Sequence, residues 1–153
     1  MAGRLGWAFV DLDHLIEERT GYSVAALFDK GEAVFRAAEA DALAATTTRA
    51  RIVVATGGGT LVQPGAMDRA KAAGTVCYLR ISPVTLASRL KGDASRPLLY
   101  GARGRPLYGA ALQARINALL NERRSLYEQA DLIVDAEDTP ASVAEVLLAA
   151  LSK

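Results

Sequence analysis

The 153-residue sequence holds one cysteine and one histidine. Cys77, in TVCYLRI, has no second cysteine to pair with, which fits a reducing compartment and a buried structural thiol. A lone His14 excludes any multi-histidine metal centre. No apolar run approaches the roughly 20 residues needed to cross a bilayer. The first residues lack the charged-then-apolar form of a signal peptide. The expectation is a cytoplasmic chain with no membrane partner. A net charge of +1 argues against nucleic-acid binding driven by bulk electrostatics. Lysine is scarce as well: four residues against fourteen arginines. Arginine's planar fork suits carboxylates and phosphates, so anionic ligands are permitted; codon bias explains the surface arginines equally well.

What is present is globular in composition, 51% hydrophobic and 23% charged, and long enough for one domain over 1–153. Strand and helix periods alternate along it. Strands are expected over 7–12, 51–56, 75–81 and 131–134, each a short apolar run. Between them lie a helix over 13–19 stopped by Gly21, and a long helical region capped by Ser23 and broken at Asp29-Lys30-Gly31. Further helices are expected over 64–73, to residue 91, and over 112–128. Ser82-Pro83 and Thr139-Pro140 are matched helix starts, a capping hydroxyl followed by proline at the first helical position. The alternation predicts an α/β fold, a parallel sheet with helices on both faces. Ligands in such folds lie beyond the carboxyl ends of the strands. Three of the four expected strands end on chemically pointed residues: Asp11-Leu-Asp13, Gly57-Gly58-Gly59, and Asp135.

Asp11 and Asp13, read as the close of one strand, fall on the same side by the period of two. Such a pair can hold Mg²⁺ through water or accept from a hydroxylated ligand. Alternatively, one of them caps the following helix. The three glycines allow close backbone approach and leave N–H groups to donate, or simply make a tight turn. They are not a Walker loop, because Thr60-Leu61-Val62 follows them with no lysine. Arg36, with Glu39 one helical turn on, and Arg96 and Arg123 are the informative cations. A lid-like segment covers 92–111. Its stretch GDASRPLLYGARGRPLYG has four glycines, two prolines and three arginines, too many breakers for a continuous helix.

These pieces, in this order, resemble shikimate kinase. The likeness runs through FVDLDHLIEERTG, the FR..E of Phe35, Arg36 and Glu39, VVATGGGTLV, TVCYLRIS, SRPLL and ERRSLYEQADLIVD, essentially the whole chain. It implies a three-layer parallel sheet of the nucleoside-monophosphate-kinase type and transfer of the γ-phosphate of ATP to the shikimate 3-hydroxyl. It implies further that Asp13 binds the shikimate hydroxyls and takes the attacking proton, and that Asp11 orients Mg²⁺ through water. Arg36 and Arg123 would clamp the carboxylate, Gly57, Gly58 and Gly59 would contact the ring, and Arg96 would stabilise the transferring phosphoryl group. Shikimate and ATP are the implied partners of a monomer, with Mg²⁺ as cofactor.

The departures are specific. The family opens with a strand and a GxxGxGK[ST] loop, whereas residues 1–6 here resemble only the end of the helix that loop launches. None of Lys30, Lys71, Lys91 and Lys153 follows such a loop. The expectation is a chain shortened by about 20 residues, the length of a strand, the loop and a helical turn. The absent strand belongs in the centre of the sheet, between the second and third strands present. Each interior N–H or C=O left unpaired there costs about 1–3 kcal/mol, against about 5–15 kcal/mol for a whole domain. The segment between SRPLL and ERRSLY is longer than usual, which leaves Arg96 and Arg105 as alternatives, and AEDT before the last helix lacks the arginine that relatives often place near adenine. The leading reading is a shikimate kinase, inactive as this chain stands. The others are a non-catalytic binding or regulatory protein and a related hydroxy-acid kinase, such as one for gluconate.

Overall fold

In the computed structural model, which describes residues 1–90, 97–101 and 105–151, Ala8–Asp11 (β1) runs straight into Leu12–Thr20 (α2). A short turn of helix, Ala2–Leu5 (α1), precedes them and ends on Gly6 in the left-handed region. The joint between β1 and α2 is made by Asp11. Its Oδ1 accepts from the N–H groups of Asp13 at 3.0 Å and His14 at 3.3 Å, satisfying donors at the open end of the helix. Asp13 is therefore already in the first turn of α2. This corrects the expectation that Asp11 and Asp13 share one side of a strand: helical rotation separates them, because capping takes hold one residue earlier.

The next helices follow their punctuation. Ser23 caps Val24–Lys30 (α3), its hydroxyl accepting from Ala26 N–H at 3.2 Å. Gly31, at a φ of 131° that side chains rarely adopt, separates it from Glu32–Thr47 (α4). Ile52–Ala55 (β2) then pairs in parallel with β1, with Asp11 opposite Ala55. After Ala66–Ala73 (α5), Cys77–Arg80 (β3) pairs in parallel with Leu132–Asp135 (β4). Pro83–Arg89 (α6) and Pro140–Leu151 (α8) begin at the two hydroxyl–proline pairs. Ser82 Oγ accepts from Thr85 N–H and Thr139 Oγ1 from Ser142 N–H. The helix expected from residue 112 begins earlier, as Gly109–Tyr127 (α7).

The expected α/β order is present, and its sheet takes the form of two parallel ladders, β1–β2 and β3–β4. Among the described residues no ladder joins β2 to β3, the place where the sequence implied an absent strand. Leu79 of β3 is consequently 45% exposed, although its ladder partner Val134 is buried.

Three apolar clusters support these ladders. Leu12, Ile16, Leu27, Phe35, Ala42, Leu43 and Ala66 bury the inner faces of α2, α3 and α4 against β2, with Phe28 and Phe35 stacked at 4.3 Å. Val134, Ala136, Val143 and Leu147 seat α8 on β4. Leu99, Leu112 and Ile116 join α6, α7 and a single 3₁₀ turn, Pro97–Leu99. That turn belongs to the lid-like segment, of which residues 97–101 and 105–111 are described. Within the segment Leu107 N–H donates to Leu99 O and Gly101 N–H to Arg105 O, and Arg115 Nε, donating to Leu98 O, ties the turn to α7. No helix among the described residues is long and apolar enough to cross a membrane.

The β3–β4 half is fastened at its far end by Glu137. Its carboxylate accepts from Ser82 N–H and from the Thr85 hydroxyl, while Arg89 donates to the carbonyls of Ala136, Glu137 and Asp138. The Thr85 hydroxyl first, then the Ser82 N–H, hold this carboxyl below the usual glutamate range. A carboxyl depressed in the folded state adds stability above its unfolded pKa, and that stability is lost as pH falls through the folded one. The thermal midpoint is thus expected to drop on acidification through the carboxylate range, and Glu137→Gln to flatten that drop. Unfolding scans of both proteins across that pH range measure the difference.

Candidate active site

The ladder register brings the ends of β1 and β2 to one level, and the chain after β2 turns at once through Gly57, Gly58 and Gly59. Beside this turn lies a cavity of about 230 Å³. One end is polar, lined by Asp13, Arg36, Glu39, Arg123 and the three glycines. Leucines from α6, α7 and the 3₁₀ turn form the opposite wall.

Arg36 and Glu39 sit one turn apart on α4, on the face that α4 turns toward the glycines. Glu39 is only 2% exposed. A carboxylate so buried needs both a counter-charge and hydrogen bonds. Glu39 has them: Oε2 accepts from Arg36 Nη1 at 2.8 Å and Oε1 from the Thr60 hydroxyl at 2.7 Å. Glu32, one turn before Arg36, accepts from its Nε at 3.3 Å and its Nη2 at 3.1 Å. Guanidinium carries five N–H groups. Three of Arg36's are committed to these partners, which leaves one on each terminal nitrogen for an incoming acceptor. The side chain thus points its fork while keeping its charge balanced.

The glycine turn lies against that fork. A Cβ built on Gly59 would stand 2.7 Å from Arg36 Nη1 and 2.9 Å from Nη2, closer than carbon tolerates. One built on Gly57 would stand 3.8 Å from Asp13 Oδ1 and 3.9 Å from Glu39 Oε1. From the other side, α7 contributes Arg123 and Tyr127. Arg123 Nη1 donates to Gly58 O at 3.1 Å, and the Tyr127 hydroxyl donates to the same oxygen at 2.5 Å. Tyr127 also packs on Tyr78 of β3, with ring centroids 5.0 Å apart.

Of the residues picked from the sequence, Asp13, Arg36, Gly57, Gly58, Gly59 and Arg123 line one cavity. Asp11 stands apart, exposed, with Oδ1 engaged in capping α2. Arg96 lies outside the described residues. Arg105 has its carbonyl in the turn with Gly101 and its side chain exposed. Glu32, Thr60 and Tyr127 were missed. Two of them had a signal: Glu32 is four residues before Arg36, and Tyr127 four after Arg123, the helical spacing of neighbours on one face. Thr60 had none, because its partner is 21 positions away in sequence.

A family model described as shikimate kinase matches residues 1–152. The chain belongs to the shikimate kinase family. Members of this family are phosphotransferases. The chain is 42% identical to the shikimate kinase of Chlorobium chlorochromatii (strain CaD3) over 138 residues, which cover 90% of this chain and 73% of that protein. It is 41% identical to that of Synechococcus sp. (strain CC9605) over 151 residues, 97% of this chain and 71% of the relative. Among solved structures, shikimate kinase from Bacteroides thetaiotaomicron superposes with a TM-score of 0.87 at 30% identity, over 99% of this chain and 88% of that one. Shikimate kinase from Acinetobacter baumannii in complex with shikimate gives 0.86 at 31% identity, over 99% and 82%. The family fold and the resemblance carried by the motifs therefore agree.

The crowding at Gly59 makes a test of how firmly Arg36 is held. Glu32 and Glu39 tether its guanidinium, so a methyl at position 59 has to break one of those contacts. Gly59→Ala is expected to cost about 1–3 kcal/mol, the range for disturbing a buried polar partner. Gly74→Ala, where an added Cβ meets nothing within 4 Å, should stay within about 0.5 kcal/mol. Urea denaturation of the two variants reads the contrast.

Proposed function

We propose that the polar end of this cavity binds shikimate, with the two remaining N–H groups of the Arg36 fork and the guanidinium of Arg123 receiving its carboxylate. The observation carrying this reading is the pair of arginines, from different helices, converging on the Gly58–Gly59 backbone. A bidentate fork matches the geometry of a carboxylate. Asp13, at the first turn of α2, takes the ring hydroxyls and is the acceptor for the proton of the attacking one. The glycine turn lets the ring approach backbone that any side chain would block. The Acinetobacter relative solved with shikimate supports the choice of ligand. The same reading takes the 153 residues as one domain, a monomer in a reducing, cytoplasmic compartment, as a single cysteine suits.

The family reaction takes the γ-phosphate of ATP to the shikimate 3-hydroxyl, with Mg²⁺. The residues of this chain do not make that nucleotide site. No GxxGxGK[ST] stretch occurs in the 153 residues. Among the described residues no group of three or more His, Cys, Asp or Glu is placed to hold a cation, and Asp11 spends one oxygen on the α2 cap. In this proposal the chain's own contribution is to hold and orient the acceptor.

Calorimetric titration with shikimate is expected to show one site. Arg36→Ala should weaken it by roughly 10- to 100-fold, as expected for losing charged hydrogen bonds. Gluconate, which lacks the ring, should bind more weakly than shikimate; equal affinity would favour the related hydroxy-acid kinase. A coupled ADP assay on the 153-residue chain alone is expected to show no shikimate-dependent turnover.

A further inference from the structure

The glycine turn is gripped from α7 by two donors that meet on one atom, the carbonyl oxygen of Gly58. That oxygen has two lone pairs, so the Tyr127 hydroxyl and Arg123 Nη1 together saturate it. In a trans peptide the following N–H points opposite to the carbonyl. The Gly59 N–H is therefore directed away from α7, and no acceptor among the described residues takes it. The backbone of Gly59 lies against the Arg36 guanidinium, where the shikimate carboxylate is placed above. Tyr127 is itself steadied by Tyr78, its ring tilted at 31° and 5.0 Å away. A Cβ on Gly58 would come within 3.1 Å of the Tyr127 oxygen, a tight contact, so the phenol fits closely against the glycine.

Arg123 spends one of its five N–H groups on Gly58 O, so it keeps that contact while others serve the ligand carboxylate. The Gly58 carbonyl is exposed, and the phenol is the second donor that fixes its direction.

We infer that Tyr127 is a positioning residue for recognition of the acid: its hydroxyl, donated to the Gly58 carbonyl, fixes the Gly58–Gly59 peptide with the Gly59 N–H toward the ligand. This rests on the shikimate reading of the cavity. Tyr127 touches no reacting atom; it acts through the peptide.

The test uses the full chain, Tyr127→Phe, and Tyr78→Phe as a companion that keeps the Tyr127 hydroxyl. Affinities for shikimate and for its uncharged methyl ester are measured by calorimetry, and the Gly59 amide is followed by ¹⁵N NMR. The expected result is that Tyr127→Phe loses about 10-fold for shikimate, the scale of one hydrogen bond to a charged system. The ester should change less than about two-fold, and the Gly59 amide should shift and exchange faster. Tyr78→Phe should retain the preference for the acid. A merely structural role would weaken acid and ester alike, and that outcome overturns the inference. Retention of the full acid preference in Tyr127→Phe overturns it while leaving the shikimate reading intact. If the wild-type chain binds neither ligand, the shikimate reading fails and takes the inference with it.

Discussion

The site depends on one buried carboxylate. Glu39 is buried on α4, and its carboxylate is matched by the Arg36 guanidinium and the Thr60 hydroxyl. That pairing does two things at once. It ties α4 to the turn following β2, and it holds Arg36 with its outer edge toward the cavity. Glu32 adds a second, exposed counter-charge along the same helix. Without Glu39, Thr60 would lose its link to α4 and the Arg36 fork would keep only Glu32.

The rest of the molecule carries this arrangement across a break in the sheet. Backbone hydrogen bonds hold β1 to β2 and β3 to β4, and side chains span the interval between the pairs. Arg123 and Tyr127 reach from α7 to Gly58, and Tyr127 also meets Tyr78 on β3. Lys71 of α5 pairs with Asp131 and donates to Gln129 O just before β4. The Val76 N–H first, and then Lys71, draw the Asp131 carboxyl below its usual range, which marks it as a structural anion. Two ladders and the cavity between α4 and α7 are thereby held by a handful of polar contacts over three apolar clusters. One ladder with its helices carries Arg36, and the other is linked through α7 to Arg123.

Much of this was legible in the residues. Hydroxyl–proline pairs mark helix starts because a side-chain oxygen can take the N–H groups that the first turn leaves over. They predicted α6 and α8 correctly. Gly31 ended one helix and opened the next for a reason visible in the letter itself. The alternation of apolar runs with helical stripes announced a parallel α/β order. The motifs around Arg36, the glycines and Arg123 pointed to the shikimate kinase family, which the family model and the relatives bear out. Asp11 was the ambiguous residue. Its carboxylate suits a ligand or a cap equally well in sequence, and only the position of α2 shows that the cap takes one of its oxygens.

The sequence by itself determined the elements, their order and the family, because those signals are local: periods, caps and breakers within a few residues. The tertiary structure decided the pairings. Glu39 with Thr60 are 21 positions apart, and Tyr127 with Gly58 are 69 apart. Closing such loops has no local signature; these contacts exist only once packing has brought α4 and α7 to either side of the turn after β2.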